Sequence, residues 1–592
     1  MMNSETEATQ GSYPRILRLK RSCSTRKAFI IGVVILLFTS AVIIAVGITF
    51  GLQQQHQRRL AVGAVATDHA ACSDVGRDIL LAGGSAVDAA IAALLCNGVR
   101  HPHSMGIGGG CFMVIYNKSS HAADVINGRE TAPRAATQQR YVNQSFSRGP
   151  LSIAVPGEIM AYWAAHQKYG LLPWRQLFEP AIKMARDGHP LSQATARALR
   201  KMKYDYKINF VVYPDFCSVF CDKHGDPLKE GDRVMMTNLS RTLHAIAELG
   251  PNVTHVNQNL AKYVQDMGGL LTETDLEGYS PRVEPPLSQQ YGDITMYTVG
   301  APSGGPVLGL ILNIIDGFNF THEDIAIPEA EAATYHKIIE AIKFSFADRL
   351  RMGDPRFVDI HDLLTKIASR QYADYVRRSI DADKTHDVSF YTNITRASWR
   401  DFGTSHISVL AANGDAVSVT STVNWYFGSM LLSGATGIIL NNEMADFSKL
   451  PQHDSNPSLN TIEPGKQPLS SMCPAVFVNK MGYPVLVVGA AGGDRITTVT
   501  AQVAIRILWL KQTLDTAISE KRFHHRLSPN ILQWEPGFSQ IVLSQLSQYG
   551  HELRKAKPKM SVVQAIFRDP ETGEVRACSD ERKGGSPSFI YS

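Results

Sequence analysis

Apolar and polar positions divide the chain into one uncharged run near the N-terminus and a much longer region of mixed helical and strand patterns. The run, residues 28–52, holds 25 residues without a charge. It is longer than the roughly 20 residues that cross a bilayer as a helix, and longer than the roughly 7–15 apolar residues of a cleavable signal peptide. We therefore predict a single N-terminal transmembrane helix over 28–52 that serves as a signal anchor.

The residues that flank this run predict its orientation. Six Lys and Arg side chains precede it against two Glu, and such a positive excess stays on the cytosolic side of a membrane. Residues 1–27 are then a cytosolic tail, the polar residues 53–60 are a stalk, and the remainder lies outside. The prediction is a single-pass type II protein of the plasma membrane with an extracellular domain.

Beyond the stalk the pattern predicts an α/β domain. Ser85 stands at a helix N-cap position before an Ala- and Leu-rich run that covers about 86–96. The stretch "GIGGG", residues 106–110, precedes an apolar strand, whereas a phosphate-binding loop precedes a helix, so we interpret it as a tight turn. Residues 150–380 are mostly typical of amphipathic helices that cover a sheet. No change in composition divides 61–592, which we treat as one domain.

The segment "GTSHISVLAANGDAVSVTSTVN", residues 403–424, predicts a β-hairpin, because Asn-Gly between two alternating apolar runs is a strong hairpin signal. The strands cover about 405–411 and 416–423. Counted back from the turn, Thr422 comes within one residue of facing Thr404 across the ladder. Two threonine hydroxyls therefore meet at the open end of the hairpin.

Thr404 is a candidate nucleophile that needs a base. A threonine hydroxyl is a poor nucleophile near neutral pH without one. If the chain is cut between Gly403 and Thr404, Thr404 carries its own base, an α-amino group with an unperturbed pKa of about 7.7–8.0. The alternative is an ordinary hairpin whose edge hydroxyls bond to backbone groups.

Three later segments supply groups that such a nucleophile would use. Residues 487–505 have the pattern of a strand, a glycine turn and a helix, which presents the N–H groups of Gly492 and Gly493 as an oxyanion hole. "PLSSM" places two hydroxyls in a loop, and "NNEMADF" places two carboxylates three residues apart, on one face if the segment is helical. Taken singly, each has a simpler interpretation as a turn, a polar loop or a solvated face.

Charge excludes nucleic acid as a partner. Residues 1–60 hold eight basic and two acidic side chains, a balance of +6, which leaves −1 of the total +5 for residues 61–592. No basic stripe remains there to neutralise phosphates. Asn-x-Ser/Thr glycosylation acceptors all fall on the predicted outer side, at Asn117, Asn143, Asn238, Asn252, Asn319 and Asn393.

The eight cysteines are too few for a disulfide scaffold, although an exported domain permits bridges. Cys217 and Cys221 are close enough in sequence to close a small loop, and Cys72 with Cys96 to tie a helical segment. A zinc site at Cys217, Cys221 and His224 is the alternative, but it lacks a fourth ligand at the usual spacing. We therefore predict no metal.

Seven segments together resemble the γ-glutamyltransferase (γ-glutamyl transpeptidase) family of N-terminal nucleophile hydrolases, in that family's order and at nearly its spacing. They are "HSMGIGGG", "VINGRE", "GTSHISV", "TSTVNWYFGS", "GIILNNEMADFS", "PGKQPLSSMCP" and "VVGAAGGDRITT". The resemblance runs from about residue 61 to the C-terminal "KGGSPSFIY", and the anchor matches the animal members. It implies a four-layer αββα N-terminal nucleophile hydrolase sandwich.

The resemblance also implies a role for each matching residue. Thr404 looks like the autoprocessing site and nucleophile, which would divide the extracellular part into a large subunit, 61–403, and a small catalytic subunit, 404–592. The remaining matches are Thr422 and Tyr426 beside the nucleophile; Arg129, Ser470 and Ser471 for the substrate carboxylate; Asn424, Glu443 and Asp446 for its amino group; Gly492 and Gly493 for the oxyanion; and the disulfides Cys72–Cys96 and Cys217–Cys221.

The function implied is extracellular cleavage of the γ-glutamyl bond of glutathione and its conjugates, with transfer of the γ-glutamyl group to water or to amino acid or dipeptide acceptors. No metal or organic cofactor is implied. Two alternatives stay open: a hydrolase of leukotriene C4 or other glutathione conjugates with little transpeptidation, and a catalytically silent surface homologue that acts as an interaction protein. Trp425, Asp494 and the insert-like residues 448–460 depart from the family pattern and would bear on substrate preference.

Overall fold

The structure is a computed structural model that describes residues 30–31, 33–43, 60–394, 403–448, 458–556 and 560–592. Its contacts divide the chain into two units, 1–60 and 61–592. In the first unit, residues 30–31 and 33–43 are helical. Among the described residues, no helix has both the length and the apolar character of a membrane span. The predicted span, 28–52, extends beyond the described residues and stays a prediction, and the predicted tail, 1–27, lies outside them.

The strands of the second unit, as far as the structure describes it, are numbered β1 to β18 in chain order. They are Ala61–Ala66, Gly110–Asn117, Ala122–Gly128, His189–Pro190, Arg233–Val234, Arg282–Glu284, Leu287–Tyr291, Ile294–Thr298, Gly403–Leu410, Ala416–Asn424, Ala475–Asn479, Pro484–Ala491, Phe523–His524, Leu532–Trp534, Leu553–Lys555, Val562–Arg568, Val575–Ser579 and Ser588–Tyr591.

Two large sheets are built from these strands. A seven-stranded sheet has the order β18-β1-β9-β10-β2-β3-β6, and a six-stranded sheet has the order β17-β16-β12-β11-β8-β7. Neighbouring strands in both sheets are antiparallel. Two smaller sheets have the orders β13-β14-β15 and β4-β5.

The α-helices of the second unit, within the described residues, are numbered α1 to α18 in chain order. They are Ala70–Leu81, Ala86–Arg100, Gln138–Tyr141, Glu158–Tyr169, Trp174–Asp187, Gln193–Arg200, Pro214–Phe220, Thr237–Leu249, Thr254–Asp266, Glu273–Glu277, Gly305–Asp316, Pro328–Arg349, His361–Ala368, Arg370–Ser379, Val388–Tyr391, Arg495–Leu508, Leu514–Ser519 and Gln540–Gln548. Short 3₁₀ helices cover Pro150–Ser152, Phe210–Val212, His322–Ile325 and Glu443–Asp446, and a π-helical turn covers Lys201–Asp205.

The two large sheets stack face to face between two layers of helices. Helices α2 and α4 contact the outer face of the seven-stranded sheet, while α11 and α16 contact the six-stranded sheet, and α12 packs against α11. The apolar side chains of β9 and β10, such as Ile407 and Val419, belong to the core on the helix side. This order of layers agrees with the predicted αββα arrangement.

The central strands β9 and β10 carry polar side chains on the face between the sheets. Every residue of both strands is buried. Ser408 donates from Oγ to the Val487 carbonyl at 3.3 Å and to the Gln564 carbonyl at 3.1 Å, both in the six-stranded sheet. Hydroxyls are tolerated in this interior because they form hydrogen bonds, Ser408 to backbone carbonyls and Thr420 to the His406 ring at 2.8 Å. The same face holds Thr404 at the end of β9.

One helix is longer than its sequence pattern predicts. Helix α2 begins at Ala86, where Ser85 and Asp88 form a reciprocal capping box, but it ends at Arg100 rather than near residue 96. Gly98 lies inside this helix and packs closely on a neighbouring loop, where a Cβ would lie 3.3 Å from the Gly106 Cα. The predicted tight turn at 106–110 is present.

Candidate active site

Thr404 and Thr422 lie directly opposite each other across β9 and β10. Their Oγ1 atoms are 3.2 Å apart and both residues are buried. The Asn-Gly turn sets this register, because Gly414 adopts a φ of 91°, a conformation that glycine reaches at little cost. The predicted meeting of two hydroxyls at the open end of the hairpin is confirmed.

The Thr422 hydroxyl is aimed at the peptide carbonyl that precedes Thr404. It donates to the Gly403 carbonyl oxygen at 2.5 Å and accepts from the Asn424 N–H at 2.8 Å. A donor on this oxygen draws electrons from the carbonyl carbon, which is the atom that a neighbouring hydroxyl would attack. A Cβ on Gly403 would lie 2.7 Å from the Trp425 carbonyl carbon, so this close approach requires glycine.

A buried lysine positions the other side of Thr404. Lys583 donates from Nζ to the Thr404 carbonyl at 2.8 Å and to the Ser405 hydroxyl at 3.1 Å, and it pairs with Asp68 at 2.6 Å. Burial lowers the pKa of Lys583, and the charge of Asp68 opposes that shift. Sequence reasoning missed Lys583 and Asp68, although the segment "KGGSPSFIY" was part of the resemblance. Only its lysine could have been suspected, because it is the one charged side chain there.

Arg129 is the centre of a buried cluster of charges. Its guanidinium donates from Nη1 to Glu443 and from Nη2 to Asp446, the latter at 2.8 Å, and Glu130 lies 3.5 Å from Nη1. Glu443 and Asp446 form the ends of a 3₁₀ helix, so both carboxylates face the same partner. The interpretation of this segment as a solvated face is therefore wrong.

The electrostatics of this cluster favour an amino acid head group. Burial alone would lower the pKa of Arg129, but the surrounding carboxylates outweigh it and raise that pKa. Burial raises the pKa of Asp446 and brings that of Glu130 to about 7, while Arg129 opposes both shifts. A zwitterionic ligand can replace these ion pairs, its ammonium on the carboxylates and its carboxylate on the guanidinium fork.

Asn424 links this cluster to the hairpin. Its Nδ2 donates to the Asp446 carboxylate at 2.9 Å and to the Asn442 carbonyl at 3.1 Å. Its Oδ1 has no hydrogen-bond partner among the described residues, which leaves an acceptor for an incoming ammonium. Asn424 adopts a φ of 72° beyond a bulge after Thr422, a left-handed conformation that asparagine tolerates.

The loop with Ser470 and Ser471 reaches Arg129 through its backbone. Arg129 donates to the Pro468 carbonyl at 3.3 Å and to the Leu469 carbonyl at 3.1 Å. The Ser470 hydroxyl accepts from the Met472 N–H, and that of Ser471 accepts from Arg349 at 3.2 Å. The structure thus brings this predicted loop to the cluster, with its two hydroxyls bonded to other groups.

Gly492 and Gly493 form the turn between β12 and α16, with φ values of 132° and 68°. The contacts across the two sheets locate this turn. Ser408 bonds to Val487, and a Cβ on Gly489 would lie 2.3 Å from the His406 ring. Counting two residues further along each strand places Thr404 beside Ala491, so the turn begins next to the nucleophile.

Tyr426 follows Asn424 at the rim of the site. Its ring makes an edge contact with His103, at 5.4 Å between centroids, and the Lys201 ammonium lies 5.6 Å from its centroid. Within the described residues its hydroxyl makes no hydrogen bond to Thr404. The neighbouring backbone of Trp425 does pack against Gly403.

Both predicted disulfides, Cys72–Cys96 and Cys217–Cys221, are present. In the second bridge both cysteines of the zinc alternative are oxidised, so neither is a free thiolate ligand. Four predicted glycosylation acceptors are exposed, Asn143, Asn252, Asn319 and Asn393, whereas Asn117 and Asn238 are partly buried.

A second polar cluster lies away from Thr404 in sequence. His336, Glu340 and His551 are buried, and their ligand atoms lie within 4.8 Å of one another. His336 and His551 share a hydrogen bond of 2.9 Å, and Glu340 accepts from Thr385 and Tyr391 at 2.6 and 2.5 Å. Because these groups satisfy one another, we interpret the cluster as a structural hydrogen-bond network.

A threonine at the end of a central strand between two stacked sheets, with a paired hydroxyl and a preceding glycine, is the arrangement expected of an N-terminal nucleophile hydrolase. Comparison of the sequence with known families identifies the particular one. The family profile described as gamma-glutamyltranspeptidase matches residues 72–590, and the chain belongs to this family.

Individual relatives agree with this result. Scoloptoxin SSD14 of Scolopendra dehaani is 40% identical over 535 residues, covering 88% of this chain and 91% of its own. Glutathione hydrolase 5 proenzyme of Rattus norvegicus is 37% identical over 536 residues, covering 89% of this chain and 92% of its own. The crystal structure of cephalosporin acylase from Bacillus halodurans superposes with a TM-score of 0.79 at 25% identity, over 90% of this chain and 97% of that one.

Proposed function

We propose that the chain is a γ-glutamyltransferase that cleaves the γ-glutamyl bond of glutathione and its conjugates and transfers the γ-glutamyl group to water or to amino acid and dipeptide acceptors. The observation that carries this proposal is the pairing of Thr404 with Thr422 beside a buried Arg129 that two carboxylates surround. The relatives named glutathione hydrolase support the choice of glutathione as donor.

The first step of the proposal is self-cleavage. The Thr404 hydroxyl attacks the Gly403 carbonyl carbon, the C–N bond breaks, and the acyl group moves from nitrogen to oxygen. The Thr422 hydroxyl stabilises the oxyanion through the bond that it already makes to the Gly403 oxygen. Water then hydrolyses the ester. The products are the large subunit, 61–403 with its N-terminal extension, and the small subunit, 404–592.

The second step uses the freed amino group of Thr404 as the base. The γ-glutamyl head binds with its carboxylate on Arg129 and its ammonium between Glu443 and Asp446. The Thr404 hydroxyl attacks the γ-carbonyl while the α-amino group takes its proton, and the N–H groups of Gly492 and Gly493 receive the oxyanion. The amino group then protonates the leaving amine. Water or an acceptor amine attacks the resulting ester and restores the threonine.

The proposal includes the location of the enzyme. The uncharged run, the basic residues before it and the six glycosylation acceptors after it support a type II protein of the plasma membrane with an extracellular catalytic domain. Partners would be small γ-glutamyl donors and their acceptors, together with the two subunits of one precursor.

Expression of the full chain and of a Thr404→Ala variant tests the proposal. We expect the wild type to yield a smaller fragment that begins "TSHISV" and to release glutamate from glutathione. The variant should remain one chain and release none. Thr404→Ser, which keeps a hydroxyl, is the matched control and should still be cut. An uncut wild type without glutathione turnover would instead favour the catalytically silent homologue.

A further inference from the structure

Three cations, Arg148, Arg197 and Lys201, lie at the rim of the site around Trp425 and Tyr426; we call them the cationic rim. The Arg148 guanidinium lies 5.3 Å from the Trp425 ring centroid and donates to the Tyr426 carbonyl at 3.4 Å. The Lys201 ammonium lies 5.6 Å from the Tyr426 ring. The charge of Arg197 is close enough to oppose the rise that burial causes in the pKa of Tyr426.

The two arginines of the rim differ from Arg129 in what they pair with. Within the part of the chain that the structure describes, neither Arg148 nor Arg197 forms a salt bridge, whereas Arg129 contacts Glu443 and Asp446. Burial lowers the pKa of Arg148 to about 10, so it stays charged at neutral pH. Arg148 donates to backbone carbonyls and, from Nη2, to the Met202 sulfur at 3.6 Å, which are uncharged acceptors. A half-buried guanidinium without an anionic partner retains the capacity for a bidentate bond to an anion.

The rim adjoins the scissile position, because the backbone of Trp425 packs against Gly403 and Trp425 directly follows Asn424 of the Arg129 cluster. Asn442 connects the rim segment to the hairpin: it donates to the Ser147 carbonyl at 2.7 Å and accepts from the Trp425 N–H at 2.9 Å. The head-group residues Arg129, Asp446 and Asn424 are buried, while Trp425 and Arg148 are partly exposed. The rest of a substrate whose γ-glutamyl head is held by Arg129 has to extend out of this buried cluster, and the partly exposed rim is the surface that adjoins it at Trp425.

We propose that the cationic rim binds the carboxylate of the amine partner, both the leaving amine of the donor and the incoming acceptor. The inference rests on the proposed function. Cysteinylglycine, amino acids and dipeptides all carry one carboxylate beyond the reacting nitrogen, which matches a guanidinium fork in chemistry. The Trp425 ring, on which Arg148 stacks, supplies an apolar wall for the S-substituent of a glutathione conjugate.

The proposed contact between the ligand carboxylate and Arg148 is tested by removing each group in turn and both together. Full-length wild type and Arg148→Gln are assayed with two donors, glutathione and its glycinamide analogue. They are also assayed with two acceptors, glycylglycine and glycylglycinamide. In the wild type the carboxylate should lower KM roughly 10- to 100-fold, the usual range for a hydrogen bond to a charged group. In Arg148→Gln the ratio of the two KM values, amide to carboxylate, should fall to about threefold or less.

Further variants separate recognition from folding. Arg148→Lys should restore part of the preference, and Arg197→Gln should reduce it. Arg140→Gln, an exposed arginine in the same region, should keep the full preference. Equal preference for the carboxylate in wild type and Arg148→Gln would overturn the inference while leaving the enzyme intact. A wild type that cleaves neither donor would overturn the proposed function itself, and the rim as a substrate site with it.

Discussion

The hydrogen bond from Thr422 to the Gly403 carbonyl leads to a specific prediction, because a single hydroxyl is proposed to stabilise the oxyanion of self-cleavage. Thr422→Val replaces that hydroxyl with a methyl group of similar size. The change removes a 2.5 Å bond to the oxygen that becomes the oxyanion and leaves the Asn424 N–H without its 2.8 Å acceptor.

The two losses have different magnitudes and different readouts. Removal of one preorganised donor from an oxyanion costs about 10²- to 10³-fold in rate, or about 3–4 kcal/mol. A buried N–H without an acceptor costs about 1–3 kcal/mol of stability. Thr422→Val should therefore be cut at least about 100 times more slowly than the wild type, with only a modest fall in the free energy of unfolding.

The assay follows the uncut chain on a denaturing gel after synthesis is stopped, beside chemical unfolding of each variant. Thr420→Val is the matched control, since it deletes a buried hydroxyl on the same strand that bonds to His406 at 2.8 Å, away from the scissile carbonyl. It should lose similar stability but keep the wild-type cleavage rate. Equal cleavage rates for both variants would refute the role of Thr422.

Three other predictions concern charge and modification. Lys583→Met should leave the Asp68 carboxylate buried without its charged partner and destabilise the fold by about 3–5 kcal/mol, with partial recovery in the double variant with Asp68→Asn, measured by chemical unfolding. The pKa of Glu130 is raised from 4.5 to about 7, so its contribution favours the fold at low pH and is lost as pH rises from about 4.5 to 7; Glu130→Gln should flatten the stability profile in that window. Asn319→Gln should reduce the glycosylated mass, whereas Asn238→Gln should not, because its amide donates to the Gly434 carbonyl at 2.6 Å.

The hairpin shows why part of the site could be predicted from the sequence. Its register depends on a short Asn-Gly turn and an alternating pattern, both of them local, so counting could place Thr422 within one residue of facing Thr404. The glycine turn at 492–493 is local in the same sense. Such features need no knowledge of the rest of the fold.

The charged partners could not be predicted in this way. Arg129 and Glu443 are 314 positions apart, and Lys583 is 179 positions from Thr404. No periodicity joins residues at such distances, since only the folded arrangement of strands and loops brings them together. The pattern of "NNEMADF" taken alone indicated a solvated face, and its burial against Arg129 appears only in three dimensions. The end of α2 was also missed, because the helix continues through Gly98, which packs closely against Gly106.

The charges of the Arg129 cluster and of the cationic rim differ in a way that bears on substrate orientation. In the cluster, Arg129 lies among Glu443, Asp446 and Glu130, so the side chains there favour a ligand that brings a cation as well as an anion. In the rim, Arg148 and Arg197 have no carboxylate partner within the described residues, so the rim favours an anion alone. A zwitterionic head at one end and a lone carboxylate at the other is the charge pattern of a γ-glutamyl dipeptide. A reversed substrate would place its lone carboxylate against three acidic groups, and this repulsion would disfavour the wrong orientation before any bond to Thr404 forms.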